Sequence, residues 1–97
     1  MKFTDLEFRP HEIKEPLSRG IRVIVFFPNG YGASVVQTTT SYGGESGLYE
    51  LAVLQGNKDK WHITYITPIT SDVLGYLTPK DVEEALTAIE ALEENKE

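Results

Sequence analysis

The tripeptide Pro28-Asn29-Gly30 lies between two runs rich in β-branched and aromatic residues, IRVIVFF at 21–27 and ASVVQTTT at 33–40, and constrains the fold more than any other stretch. Runs of this composition favour extended backbone. A two-residue Asn-Gly turn would need an N–H that Pro28 lacks. A three-residue loop meets the chemistry, with Pro28 and Asn29 at the central positions of a type I turn and Gly30 in the left-handed position that opens a bulge. That loop sets the register of Phe27 with Tyr31, Val25 with Ala33 and Val23 with Val35. One face of the hairpin is then almost wholly apolar. The other carries Arg22, Ile24, Phe26, Ser34 and Val36 and is too apolar to be left bare, so either the N-terminal segment (Phe3, Leu6, Phe8, Ile13, Leu17) or a second subunit is expected to cover it.

The remaining elements follow from local pattern. Residues 3–9 read as a strand, and Pro10 and Pro16 frame a short segment that neither periodicity claims. After the loop SYGGESG at 41–47, the run LYELAVLQ directs Tyr49, Leu51 and Val53 to one face. Gly56-Asn57-Lys58-Asp59 is a polar turn, and WHITYIT at 61–67 sets Trp61, Ile63 and Tyr65 against His62 and Thr64. Short connections between consecutive strands imply an antiparallel meander. Residues 69–77 read as a connection with one helical turn at 71–74, stopped by Gly75. Thr78, Pro79 and Asp81 then supply an N-cap, a first helical position and a capping partner. Within the helix Val82, Ala85, Leu86, Ile89 and Leu92 form an apolar stripe, and Glu83, Glu84, Glu90, Glu93 and Glu94 point away. Laid over Val23, Val25, Val35, Leu51 and Ile63, the stripe completes an α+β protein: an antiparallel β-meander of four to five strands with one C-terminal α-helix packed on one face.

At 97 residues, 40% hydrophobic and 25% charged, the chain is expected to form a single domain, residues 1–97, small enough for self-association to be useful. The net charge of −6 is concentrated at the end. Residues 1–77 carry 7 Lys/Arg and 8 Asp/Glu, whereas residues 78–97 carry 2 and 7. Dispersed basic residues do not make a nucleic-acid surface. The absence of cysteine fits a reducing compartment, and no apolar run is long enough for a signal peptide or a membrane span, so the expected location is the cytoplasm.

No catalytic, metal or cofactor motif is complete. His11 and His62 belong to no metal-binding spacing. Gly30 and Gly32 lack the third glycine and the helix of a dinucleotide fingerprint, and Gly44-Glu45-Ser46-Gly47 is one residue short of a nucleophile elbow. An enzyme would require Glu45, Asp72 and His62 to converge. What remains is a set of glycine- and tyrosine-rich loops, a composition suited to recognition because tyrosine supplies contact area at low entropic cost. The expected binding residues are Asn29, Tyr31, Tyr42, Glu45, Asp72 and Tyr76. The structural alternative is that the glycines serve turns and the tyrosines cap the core edge.

The runs PNGYGASVV, SYGGESGLYELAVL and TPITSDVLGYLTPKDV, spread over residues 20–92, resemble a group of small proteins encoded by bacteriophages and prophages. The resemblance implies a phage accessory protein working in the bacterial cytoplasm. Together these readings predict a non-enzymatic protein that binds a bacterial protein through its Gly/Tyr loops. The alternative is binding or sequestration of a nucleotide-like small molecule. A two-fold homodimer is expected through the patch of Ile24, Phe26 and Val36.

Overall fold

The computed structural model describes residues 1–14 and 17–94. One sheet contains β1 (Arg9–Ile13), β2 (Ser18–Phe26), β3 (Tyr31–Thr38), β4 (Tyr49–Asn57), β5 (Lys60–Ile63) and β6 (Leu74–Leu77), and α1 (Pro79–Glu90) follows it. Strands β1 to β5 form an antiparallel meander that curls, and β6 also pairs with β4. The long β4 makes this sharing feasible. Strand β3 takes one of its edges, while β5 meets residues 54–57 and β6 meets Tyr49 and Leu51 on the other.

The β2–β3 hairpin has the expected register and loop. Phe27 N–H donates to the Tyr31 carbonyl at 2.8 Å, Gly30 N–H donates to Phe27 at 3.2 Å, and Gly30 has φ 85°. The same register continues into β4, giving the cross-sheet rows Val23–Val35–Leu51 and Val25–Ala33–Val53 on one face. Against these rows α1 packs Val82, Ala85, Leu86 and Ile89. Each large apolar side chain removed from water there contributes about 1.5–3 kcal/mol. The helix begins at a complete capping box: Asp81 N–H donates to Thr78 Oγ1 at 3.2 Å, and Thr78 N–H donates to Asp81 Oδ2 at 3.0 Å.

Four expectations need correction. Residues 3–9 are not a strand: Phe3–Asp5 is a 3-10 turn, and the first strand is Arg9–Ile13, around Pro10. Proline is tolerated because Pro10 opposes Ile21, whose backbone groups face β3, so the missing N–H would have pointed out of the sheet. Pro16 lies outside the described residues. Residues 74–77 form β6 instead of ending a helical turn. The strand carries a register shift against β4 and a left-handed Tyr76 at φ 56°, which no propensity announces.

Ile63 faces away from the helix. A two-residue turn pairs Asn57 with Lys60, so odd positions of β5 oppose even positions of β4, and Ile63 lies beside Leu54 instead of Val53. Trp61, Ile63 and Tyr65 are consequently exposed, and Thr64 is buried, its N–H donating to Val53 at 2.9 Å. Finally, the N-terminal segment covers the helix side. Leu6 enters the core beneath α1, and Phe3, Phe8 and Tyr49 form a ring cluster with centroids 5.1–5.6 Å apart. Two helix carboxylates hold it there: Glu83 accepts the Phe3 N–H at 2.7 Å and Glu90 lies 3.9 Å from the terminal ammonium. The opposite face, with Ile24 and Val36, is left without that cover.

Candidate functional site

The six residues singled out by sequence separate into two groups. Asn29 and Tyr31 lie at the start of β3, and Tyr42 lies beyond its end. At about 3.3 Å per residue, the seven steps of β3 put the two loops more than about 20 Å apart. Asn29 has an architectural task. Its Nδ2 donates to the carbonyls of Ile89 (2.9 Å), Glu90 (3.2 Å) and Leu92 (3.2 Å) at the end of α1, and its Oδ1 accepts the Tyr31 N–H at 3.0 Å. Tyr31 is half-buried against the core.

Tyr42 and Tyr76 do come together. Their rings stack with centroids 6.4 Å apart and planes 25° from parallel, and the side chains are 57% and 64% exposed. Tyr76 N–H donates to the Tyr42 carbonyl at 3.2 Å, while a Cβ on Gly75 would fall 2.7 Å from that of Tyr42. The interlock holds Tyr76 in a conformation that costs about 1–2 kcal/mol for a residue with a Cβ. Glu45, in the 3-10 turn Gly44–Ser46, and Asp72, before β6, are exposed. Neither they nor His62 lines either of the two recesses formed beside β2.

A concavity on the helix-free face of the sheet adjoins the tyrosine pair. Even-numbered residues of β2, β3 and β4 build its rows: Ile24–Ser34–Ala52, then Arg22–Val36–Glu50, then Gly20–Thr38. From β1, Arg9 extends the second row, His11 the third, and Ile13 sits beside Ser18. Small side chains at Ser34, Ala52 and Gly20 leave the middle low. Gly20 is required at its place, because a Cβ there would lie 2.0 Å from the Gln37 carbonyl oxygen. Larger groups, among them His11, Arg22, Ile63 and Val73, stand around a cleft of about 320 Å³. The tyrosine pair adjoins it, since Ser41 lines the cleft and Tyr42 N–H donates to Glu50 Oε1 at 3.2 Å.

Arg22 and His11 line this cleft together with one carboxylate, Glu50, two strands from Arg22 in the same row, and Arg9 adjoins it on β1. Arg9 and Arg22 are direct cross-strand partners, a like-charge pairing that disfavours a sheet. Arg22 is half-buried and, among the described residues, has neither a carboxylate within ion-pair distance nor a hydrogen-bond acceptor. Beside it His11 is pushed below its ordinary pKa of 6.5, first by burial and then by the Arg22 charge. Hydroxyl groups complete the lining. Thr40 Oγ1 and Ser18 Oγ are 2.7 Å apart, and Ser41 Oγ, 2.8 Å from Thr38 N, accepts its hydrogen bond. Such a set can receive an anion through Arg22 and a protonated His11, with hydroxyl donors beside them.

Sequence reasoning placed Arg22 on this face but did not bring His11 or the hydroxyl row to it, because β1 was unrecognised. Once β1 is paired with β2, the opposition of Arg9 and Arg22 becomes the signal. Among the described residues no group of three or more His, Asp or Glu side chains could hold a metal ion, and no helix is long and apolar enough to cross a membrane. Compared with protein-family models, curated proteins and solved structures, the chain has no significant match.

Proposed function

We propose that this chain is a non-enzymatic binding protein whose site is the cleft on the helix-free face, and that its ligand is a small anion of the nucleotide-like class. One observation carries the reading: an Arg22 guanidinium with no carboxylate within ion-pair distance among the described residues, opposite Arg9 and next to His11, over a hydroxyl-bearing floor. A ligand anion would supply the missing charge, and the adjoining Tyr42–Tyr76 pair offers an aromatic surface for a planar group. Calorimetry with inorganic phosphate, a mononucleotide and a dicarboxylate tests it. The expected result is saturable binding of at least one anion that weakens tenfold or more in Arg22→Gln. Equal heats for both proteins with all three compounds overturn it.

A second reading is favoured by the tyrosine pair itself. Two exposed, stacked rings held by a left-handed Tyr76 are a suitable anchor for a protein partner, consistent with a phage accessory role toward a bacterial protein. Capture of a host protein that survives Arg22→Gln but is lost in Tyr42→Ala/Tyr76→Ala would favour this reading over the first. A homodimer through Ile24, Phe26 and Val36, half-buried on the face left without the N-terminal cover, is a separate proposal that competes with ligand entry, because Val36 lines the cleft. Sedimentation equilibrium tests it, and a monomer mass unchanged by a tenfold rise in concentration counts against it.

A further inference from the structure

Strand β2 is longer than the partner on its outer edge. Strand β1 pairs with it from Ser18 to Arg22 and then leaves, whereas β2 continues to Phe26 against β3. The hydrogen-bond alternation says which groups are left over. Because Phe27 N–H bonds the Tyr31 carbonyl, the odd residues Val25 and Val23 direct their backbone groups toward β3. Ile24 and Phe26 therefore direct their N–H and C=O outward, where among the described residues no strand meets them. Residues 23–26 contain no proline, no lysine and no bulge, so this short edge lacks those three protections.

The departing N-terminal chain turns this edge into a recess of about 540 Å³. Asp5, Glu7, Arg9 and Pro10 line it from one side, and Arg22, Val23, Ile24 and Val25 from the other. Its charge is ordered. Arg9 and Arg22 stand together where β1 leaves, and Asp5 and Glu7 belong to the stretch that continues past them.

From this geometry we infer that the edge of β2 takes an extended peptide as an additional antiparallel strand. The peptide ends in a free carboxylate near Arg9 and Arg22 and carries a basic residue toward Asp5 and Glu7. An antiparallel course follows from the charges, since it places the peptide C-terminus beside Arg22 and its N-terminal part beside Phe26. Main-chain bonds to Ile24 and Phe26 supply the binding, and the two charged ends supply polarity. A second copy of this chain fits less well. Edge-to-edge pairing about a two-fold axis perpendicular to the sheet would put the two N-terminal walls, each with Asp5 and Glu7, on the same face of the joined sheet, and would offer Arg9 and Arg22 the middle of a strand instead of a carboxylate. The recess and the cleft share Arg22, so the peptide carboxylate and the anion proposed above compete for one guanidinium; protection of the Ile24 and Phe26 amides is what distinguishes the peptide.

The probe is the peptide acetyl-Lys-Val-Thr-Val-Thr-Val with a free C-terminus, compared with its C-terminal amide, read by amide hydrogen exchange and by NMR titration of the full chain. In the free protein, Ile24 and Phe26 amides should exchange faster than those of Val23 and Val25. Added free-acid peptide should slow Ile24 and Phe26 at least tenfold, and the amide form should bind at least fivefold more weakly. Ile24→Pro removes an outward N–H while leaving the bonds to β3. It should weaken peptide binding tenfold or more with its β3 amides still protected. Ile24→Val, which keeps the donor, should bind as the wild type does. If Ile24→Pro does not fold, Arg9→Gln should still abolish the preference for the free acid. Saturating peptide without added protection at Ile24 and Phe26, no saturable binding at millimolar peptide, or equal binding of acid and amide would overturn the inference.

Discussion

Replacing Asn29 by alanine should destabilise the protein while leaving anion binding intact. The carboxamide joins the β2–β3 turn to the end of α1, with Nδ2 2.9–3.2 Å from three helix carbonyls and Oδ1 3.0 Å from the Tyr31 N–H. Two hydrogens on Nδ2 serve three acceptors, so the donor side is counted as one to two net bonds and the acceptor side as one. At about 1 kcal/mol per net hydrogen bond, the loss is about 2–3 kcal/mol. For a domain of this size each kcal/mol shifts Tm by about 4–8 °C, so a fall on the order of 10 °C or more is expected in a thermal melt followed by circular dichroism. Asn29→Asp sharpens the test. The introduced carboxylate keeps the acceptor for Tyr31 but faces carbonyl oxygens at the negative end of the helix dipole. Its melt at pH 7 should be no higher than that of Asn29→Ala, and its deficit against wild type should begin to narrow above the ordinary Asp value of about 3.9, because those surroundings raise the carboxyl pKa and the protonated group can donate again. A change of less than 2 °C in both variants, coupled with lost ligand binding, would refute the architectural role and return Asn29 to a binding surface.

Three further outcomes follow. Leu51 is fully buried between the sheet and α1, so Leu51→Ala should cost about 2–5 kcal/mol in urea denaturation, and a loss below 1 kcal/mol would contradict the assigned core. The backbone and side-chain bonds from Thr78 lower the Asp81 pKa below its ordinary 3.8; the stabilisation is present above that value and is lost as the pH falls through the lowered one. The melting difference between wild type and Asp81→Asn should therefore shrink under acid conditions, whereas a difference that grows would reverse the sign. For the cleft, a bound anion favours protonated His11, so affinity should rise as the pH is lowered from 8 through 6.5 and toward the depressed free-state pKa. His11→Gln should flatten that dependence in calorimetry, and an undiminished slope would remove His11 from the site.

Much of the scaffold was legible because each signal was local. Pro28-Asn29-Gly30 specified its turn, that turn specified the rows through Val23 and Val25, and Thr78 with Asp81 marked the helix start. Errors arose where a long-range partner overrode local chemistry. Pro10 resembled a break until β2 supplied an edge to lie against, and Gly75 resembled a helix stop until β4 offered its outer edge. The Ile63 error was one of parity, set by a two-residue turn at Lys58 and Asp59. As for the site, the stacking of Tyr42 on Tyr76 depends on residues 34 apart in the sequence, and the opposition of Arg9 to Arg22 depends on a strand that periodicity did not reveal.

The central claim, that the cleft receives an anion through Arg22 and His11, is tested most directly by a ¹H–¹⁵N and side-chain NMR titration with a mononucleotide. The predicted result is saturable shifts at the His11 ring, the Arg22 side chain, Ser34 and Thr38, accompanied by a rise in the His11 pKa. Shifts confined to Tyr42 and Tyr76, or no saturable shift at millimolar ligand, would contradict it.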